Sequence, residues 1–255
     1  MNGWAGLGVL PSPLANNVAV AMAMVIYYKL IIELVCWRRV RWQKTTGKYV
    51  LHMALSSLVM FWPYFDTTTS NDDDNNKNDN WSWRLNVLVP VVVWTRLFYK
   101  GAMVRDPNDA DVQNISLSSS PHDLLFGPAW SAAVMIWMGL YGFMTEEAAV
   151  VAAMSLGDGI APLIGTKYGR HIFHMPLAQP KTMEGSVVGV FLGTVAGCYF
   201  YLYMMGMTII PLGRVLAYAA IAAVTEATAP VHLDNVMVPV VLHFSMKQIH
   251  EWIPA

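Results

Sequence analysis

The sequence predicts an all-α membrane protein, and composition is the first observation that indicates this fold class. Hydrophobic residues make up 55% of the 255 residues and charged residues only 13%, whereas soluble domains carry about 25% charged residues. So few charges cannot cover the surface of a soluble domain, and so many apolar residues exclude a disordered chain. The second observation is that the apolar residues form long runs, as helices that cross a bilayer require.

The first three runs are separated by markedly polar segments. Residues 14–37 follow two prolines and end at a cluster of basic residues. Residues 49–65 end at the polar, low-complexity tract 66–80, which is typical of a loop. Residues 85–99 contain a proline that favours a kink, and the polar loop 100–123 follows. Each run therefore predicts one membrane-spanning helix.

The second half of the chain continues this pattern. Residues 124–143 and 148–165 are separated by only a short polar turn, and residues 187–205 and 207–228 follow a longer polar segment. Residues 236–244 form a shorter apolar stretch, which is either a short span or a helix lying at the membrane interface. The sequence therefore predicts about seven transmembrane helices and a short eighth.

The basic residues predict the orientation of these helices. Five Lys or Arg lie within the eleven residues 38–48, and the positive-inside rule places this loop in the cytoplasm. Alternation of the spans then brings loops 100–123, 166–186 and 226–235 to the same face. The polar residues suited to chemistry therefore converge at one end of the helices.

An aspartate lies inside the fifth run, where a charge costs about 2.5–3.5 kcal/mol to insert. Asp158 therefore needs a cation, a partner or water. On a helix it shares a face with Ala161 and Gly165, whose small side chains leave room for a ligand or a neighbouring helix. One interpretation is a carboxylate that holds a divalent metal, and the other is a buried ion pair with a basic residue elsewhere, such as Arg96 or Arg214.

A second polar segment, Lys181-Thr182-Met183-Glu184-Gly185-Ser186, precedes the sixth run. An ammonium, a hydroxyl and a small-residue turn at a helix N-terminus suit a phosphate group, and Glu184 suits a metal. An ordinary helix start with an interfacial lysine is the alternative.

The third polar segment contains Glu226, His232, Asp234 and Asn235. Asp234 and Asn235 either cap a helix or supply carboxylate and amide ligands. A zinc pattern, a Walker A motif, a Gly-x-Gly-x-x-Gly fingerprint and a Gly-x-Ser-x-Gly elbow are all absent from the sequence. The net charge of −1 gives no surface for nucleic acid.

Taken in order, these segments resemble the CTP-dependent polyprenol kinase family, which includes phytol, farnesol and dolichol kinases. The resemblance rests on Gly157-Asp158 with Ala161, Gly165 and Gly169, on Lys181-Thr182 with Glu184-Gly185-Ser186, and on Glu226 with Asp234-Asn235 and Pro239. Lys48 and His52 resemble a lysine–histidine pair near a span start in that family, and Leu124-Leu125-Phe126-Gly127-Pro128 is similar to its Leu-Leu-x-Gly-Pro motif.

The resemblance implies that the terminal phosphate of CTP is transferred to a long-chain lipid alcohol with Mg²⁺ as cofactor. It implies catalytic roles for Asp158, Glu184 and Asp234, the first two as metal ligands. The implied phosphate-binding residues are Lys167, Lys181, Thr182, Gly185, Ser186 and Asn235, and the further candidates are Lys48, His52 and Glu226. The expected organisation is one domain, with an N-terminal span and basic loop at residues 1–48 and the kinase-like part at residues 49–255.

Two departures from the family pattern stand near these motifs. Pro162 replaces an aspartate found in many phytol-type members, and Ser119-Ser120-Pro121 replaces an Arg-Ser-Gly. One rival interpretation is a phosphatidate cytidylyltransferase, which shares part of the motif series, and another is a non-enzymatic transporter or scaffold. The expected location is the endoplasmic reticulum, because no transit peptide is visible in the sequence, with the plastid envelope as the alternative.

Overall fold

The computed structural model describes residues 12–39, 53–68, 80–116, 120–175, 180–206, 211–230 and 233–254. Lys48, His52, Ser119 and His232, which the sequence singles out, lie outside these ranges. The described residues are largely helical, with one small β-hairpin.

Nine helices form within the described residues. They are α1 Pro13–Arg39, α2 Met53–Tyr64, α3 Trp81–Val104, α4 Ala110–Ile115, α5 Leu125–Tyr141, α6 Ala148–Tyr168, α7 Glu184–Met204, α8 Leu212–Thr228 and α9 Asp234–Trp252. The strands β1 Ile172–Phe173 and β2 Lys181–Thr182 pair antiparallel between α6 and α7.

The predicted all-α membrane fold is confirmed, and each of the eight predicted apolar runs overlaps one of the helices α1–α3 and α5–α9. Their lengths differ from the prediction. Among the described residues, α1, α3, α6 and α7 are long and apolar enough to cross a membrane, whereas α2 and α5 are shorter apolar helices. Helix α8 has 17 residues and α9 has 19. The eighth run is therefore a full helix, because its amphipathic continuation to Trp252 is also helical.

Helix α6 is the central helix of the bundle, and α1 is peripheral. In the most apolar 18-residue stretch of each helix, 61% of the residues are buried in α6 but only 17% are buried in α1. The first turns of α6, residues 148–154, are wholly buried, whereas Met22 and Leu30 of α1 expose more than half of their surface. This distribution suits a bundle whose outer face contacts lipid rather than water.

Helices α6 and α7 pack almost backbone to backbone. The α7 face that meets α6 carries glycines at four-residue spacing, Gly185, Gly189, Gly193 and Gly197. A Cβ atom added to Gly189 would lie 2.8 Å from Ala161 Cα, and one added to Gly193 would lie 2.9 Å from Gly157 Cα. Small residues at this spacing let membrane helices approach closely. Ala161 and Gly165 therefore make room for a helix rather than for a ligand.

Wide π-helical turns flank the polar residues of α6 and α7. One covers Ala153–Gly157, directly before Asp158, and the other, Glu184–Gly189, opens α7 directly after the hairpin. Such turns interrupt regular α-helix and occur frequently at functional sites. The first turn lies near the middle of α6, and the second lies at the start of α7.

Candidate active site

Polar side chains from four separate elements meet at one end of the bundle. Asp158 comes from α6, Lys181 from β2, Glu226 from the last turn of α8 and Asp234 from the first turn of α9. A cavity of about 10 Å³ lies among these elements, and its walls are formed by Ala153, Met154, Asp158, Val190, Glu226, Asp234, Asn235 and Val238. That volume holds about one water molecule or ion.

The Lys181 ammonium is tied to two of the acidic residues. Its Nζ atom donates to the Glu226 carboxylate oxygen Oε1 at 2.6 Å and to the Glu226 backbone carbonyl at 2.7 Å, and it lies 3.5 Å from Asp234 Oδ2. The side chains of Lys181, Glu226 and Asp234 are only 17%, 7% and 24% exposed. Burial alone would lower the pKa of Lys181, but the surrounding carboxylates, Glu226 foremost, raise it above its usual value. The ammonium therefore stays charged.

The hairpin fixes where this ammonium stands. Lys181 pairs with Phe173, and Thr182 pairs with Ile172. The Thr182 hydroxyl accepts a hydrogen bond from the Gly185 N–H at 3.2 Å, which satisfies a backbone donor in the first turn of α7. Lys181 is thereby held directly before the helix start, with its side chain reaching towards α8.

The start of α9 supplies two polar residues. Asp234 Oδ1 accepts from the Asn235 backbone N–H at 3.0 Å, while Oδ2 of Asp234 faces Lys181. Asp234 does not cap the helix, because the N-cap position is Leu233 and no side chain bonds there. Its carboxylate instead lines the cavity. Among the described residues, the buried Asn235 Oδ1 has no hydrogen-bond partner. Buried oxygens without a partner are costly, so this carbonyl is suited to a bound donor or cation.

The alternative in which Asp158 pairs with Arg96 or Arg214 is wrong. Arg96 Nε binds Asp111 Oδ2 at 2.7 Å, and Arg214 Nη1 binds Glu146 Oε1 at 2.8 Å. Lys181 is a cation whose charge acts on Asp158. The intramembrane carboxylate therefore belongs to the cavity.

Glu184 does not lie with Asp158, although the resemblance implies that both bind metal. Glu184 Oε1 lies 2.7 Å from His171 Nδ1, and Oε2 accepts from the backbone N–H of Arg170 at 3.1 Å. These contacts close the turn between α6 and β1, and Glu184 does not line the cavity. The acidic residues that the structure brings beside Asp158 are Glu226 and Asp234 instead.

Four of the implied phosphate-binding residues also have local roles. Thr182 caps α7, and Gly185 is required by packing, because an added Cβ would lie 2.9 Å from Ala161 O. Ser186 is buried on α7. Lys167 is exposed, with Nζ 5.2 Å from the centre of the Tyr168 ring. Asn235 lines the cavity itself, and Lys181 contacts two of its lining residues, Glu226 and Asp234.

Sequence reasoning ranked Glu226 below Glu184 and did not single out the apolar wall of the cavity. Glu226 is 6% exposed and lies within an apolar helix, which by itself marks an acidic residue as functional in a membrane. The apolar wall, Met154, Val190 and Val238, carries no comparable signal because any buried helix contains such residues. Its role follows only from the contact of three helices.

A second polar network lies at the opposite end of the bundle. Besides its bond to Arg214, Glu146 accepts from the Tyr218 hydroxyl at 2.8 Å, and its Oε2 lies 3.1 Å from His250 Nε2. Arg214 Nε also donates to the Ile253 carbonyl at 2.7 Å. These groups satisfy one another, so the network joins the α5–α6 turn to α8 and α9 and serves the fold.

The donor set of the cavity fits magnesium chemically. Three carboxylates and the Asn235 carbonyl are oxygen ligands of the kind that Mg²⁺ prefers. Among the described residues, no three acidic, histidine or cysteine side chains stand close enough to hold a metal ion as they are placed, because Glu226 and Asp234 are turned towards Lys181. Protein sites often supply Mg²⁺ with only one or two carboxylates, and water and substrate phosphates supply the rest. The cavity meets that requirement.

Comparison with known proteins finds phytol kinases. The chain is 25% identical over 235 residues to "Probable phytol kinase 2, chloroplastic" of Oryza sativa subsp. japonica, a match that covers 88% of this chain and 71% of the relative. It is 24% identical over 210 residues to "Phytol kinase 1, chloroplastic" of Arabidopsis thaliana, covering 77% and 64%. It is 30% identical over 112 residues to "Phytol kinase" of a Synechocystis species, covering 42% and 48%.

The plant matches span only 52% to 71% of the relatives' own lengths. No family model and no solved structure matches the sequence. The likeness therefore comes from several full relatives rather than from one motif or one fold. The chain is therefore similar to phytol kinases, and this similarity supports the resemblance of its motifs to the polyprenol kinase family.

Proposed function

We propose that the chain is a membrane-embedded kinase that transfers the terminal phosphate of CTP to the hydroxyl of a long-chain lipid alcohol, with phytol as the first candidate. The observation that carries this proposal is the convergence of a charged lysine and three carboxylates on one small cavity at the end of the bundle. Likeness to phytol kinases supports the acceptor class. CTP as donor rests on the resemblance of the motifs.

Phosphate transfer depends mainly on positioning and on neutralising charge, and the cavity residues suit both. Lys181 binds a phosphate oxygen through its ammonium, and Asp158 and Asp234 hold the magnesium ion. When bound, Mg²⁺ neutralises charge on the phosphate oxygens. The alcohol oxygen forms a bond to the terminal phosphorus, the bond from that phosphorus to the bridging oxygen breaks, and CDP leaves. The hydroxyl proton passes to a cavity carboxylate, for which Glu226 is the buried candidate.

The residues around the cavity are of two opposite kinds. Asp158, Glu226 and Asp234 are acidic and suit the metal ion that accompanies the charged donor, whereas Met154 and Val190 are apolar and suit the hydrocarbon of the alcohol. A site at the end of apolar helices meets a nucleotide from water and an alcohol from the bilayer. Relatives whose names place them in the chloroplast favour the plastid envelope as the location, and the expected endoplasmic reticulum has no support.

The test is phosphate transfer from γ-labelled CTP by the purified protein in detergent with Mg²⁺. Phytol, farnesol, dolichol and diacylglycerol are offered separately. We expect label in one alcohol, most of it lost in Asp158→Asn and retained in Asp106→Asn, an exposed aspartate in the α3–α4 turn. Absence of label in every alcohol, beside an active family member, would refute the kinase. Label from α-labelled CTP in phosphatidate would instead identify the cytidylyltransferase.

A further inference from the structure

The Lys181 ammonium occupies the position that a cation must take to hold the acidic cavity together. It bonds Glu226 at two oxygen atoms and stands near Asp234. Asp158 lines the same cavity as Glu226 and Asp234. Carboxylates at such short range repel one another when they are ionised, so a positive charge beside them stabilises the cluster.

Glu226 and Asp234 both turn a carboxylate oxygen towards the place that the Lys181 ammonium holds. Carboxylate oxygens are also the ligands that a divalent cation such as Mg²⁺ prefers. The contacts with Lys181 keep such a cation out, because Glu226 and Asp234 cannot bond Lys181 and a metal in a full ligand shell together.

The Lys181 side chain is able to move to a new partner. It stands on a two-residue strand, and a lysine reaches its partner through a flexible four-carbon stem as a point charge. Nucleotide phosphates arriving at the start of α7 offer it new negative partners. Its departure frees Glu226 and Asp234.

We propose that Lys181 is a stand-in cation: in the free protein its ammonium holds the place of the divalent ion, and it moves to the nucleotide phosphates when that ion enters. The movement of Lys181 to nucleotide phosphates rests on the proposed function. The competition between Lys181 and a divalent ion is independent of that function. Both ligands favour the released position of the same side chain, so each strengthens the binding of the other. The site is then complete only when metal and nucleotide are both present.

The experiment titrates the purified protein in detergent with Mn²⁺, without nucleotide, and measures free Mn²⁺ by electron paramagnetic resonance. Lys181→Met is expected to bind Mn²⁺ about 5- to 150-fold more tightly than the wild type, the usual range of coupling between two sites. Lys181→Arg keeps a cation and is expected to bind as weakly as the wild type. Lys247→Met, at an exposed position of α9, is the matched control and is expected to change nothing.

Equal or weaker binding by Lys181→Met would overturn the proposal, and so would tight binding by Lys181→Arg. A second measurement uses only the wild-type protein. Mn²⁺ is expected to increase the rate at which an amine-acetylating reagent modifies Lys181, measured by mass spectrometry. An unchanged rate of acetylation would contradict the release of Lys181 from Glu226 and Asp234. If Mn²⁺ behaves as expected but no alcohol is phosphorylated, the proposed function fails and the competition stands. If phosphate is transferred but Lys181→Met binds Mn²⁺ no more tightly, only the stand-in role fails.

Discussion

Adding one methyl group at Gly189 is expected to damage both stability and catalysis. The new Cβ would lie 2.8 Å from Ala161 Cα, and this neighbour is backbone, which no rotamer change can move aside. Restoring the shortest ordinary contact, 3.4 Å, requires α6 and α7 to separate by about 0.6 Å. Overpacking of this kind costs about 1–3 kcal/mol, which lowers the unfolding midpoint by roughly 2–12 °C.

The same separation moves the two halves of the cavity. Asp158 lies on α6, and Lys181 directly precedes α7, so a shift between these helices changes the spacing of their charged groups. Because a misplacement near 1 Å costs about a hundredfold in rate, a loss of phosphate transfer on the order of tenfold is expected for Gly189→Ala.

The assay compares thermal unfolding in detergent and initial rates of phosphate transfer for the wild type, Gly189→Ala and Val188→Ile. Val188 is the neighbouring α7 residue on the exposed face, so the control adds one methyl group to the same turn without meeting α6. Wild-type stability and rate in Gly189→Ala would refute the close packing. Equal damage from Val188→Ile would show that the effect does not come from the α6 contact.

Three further outcomes are expected. Glu226→Gln removes the main partner of a buried ammonium and is expected to destabilise the protein by about 3 kcal/mol, measured by thermal unfolding, whereas Glu33→Gln, in a 3.9 Å exposed pair, is expected to change stability by less than about 0.5 kcal/mol. The hydrogen bond from Lys100 lowers the pKa of Asp109. Because this pKa is lower in the folded chain than in the unfolded chain, the pair stabilises the folded protein at neutral pH. The difference in unfolding midpoint between the wild type and Asp109→Asn is therefore expected to vanish as the pH falls below about 4 in a pH series. Tyr218→Phe removes a hydroxyl bonded at the opposite end of the bundle and is expected to cost about 1–3 kcal/mol of stability with an unchanged KM for CTP; a raised KM would contradict the purely structural role of that network.

The helices were predictable because each apolar run carries its own signal. The run 148–165, for example, lies inside α6 Ala148–Tyr168, since a stretch of that length and composition has few alternatives to a helix. Helix α8 shows the limit of this reasoning. Its apolar run is as long as the others, but the described helix begins only after Pro211, because proline is favoured at the start of a helix.

The cavity was predictable only in part. Asp158, Lys181 and Asp234 were found because charge in an apolar context is conspicuous and because alternating spans bring their loops to one face. Glu184 was preferred over Glu226 because it is close to Lys181 in sequence. Glu184 lies only three residues after Lys181, but its carboxylate bonds His171 and Arg170 instead. The 2.6 Å contact between Lys181 Nζ and Glu226 Oε1 joins residues that are 45 positions apart in the sequence. That partner depends on the packing of α8 against α7, which no local pattern encodes.

The initial rate of phosphate transfer from γ-labelled CTP to phytol by Asp234→Asn tests most directly whether this cavity carries the reaction. Asp234 bridges the start of α9 and the Lys181 ammonium, and asparagine keeps its shape while removing its charge. Loss of one electrostatic contact to the reacting groups costs about 10²–10³-fold in rate, so a fall of that size is predicted, with folding unchanged by circular dichroism and Asp106→Asn at the wild-type rate. A wild-type rate in Asp234→Asn would contradict the assignment of the reaction to the cavity.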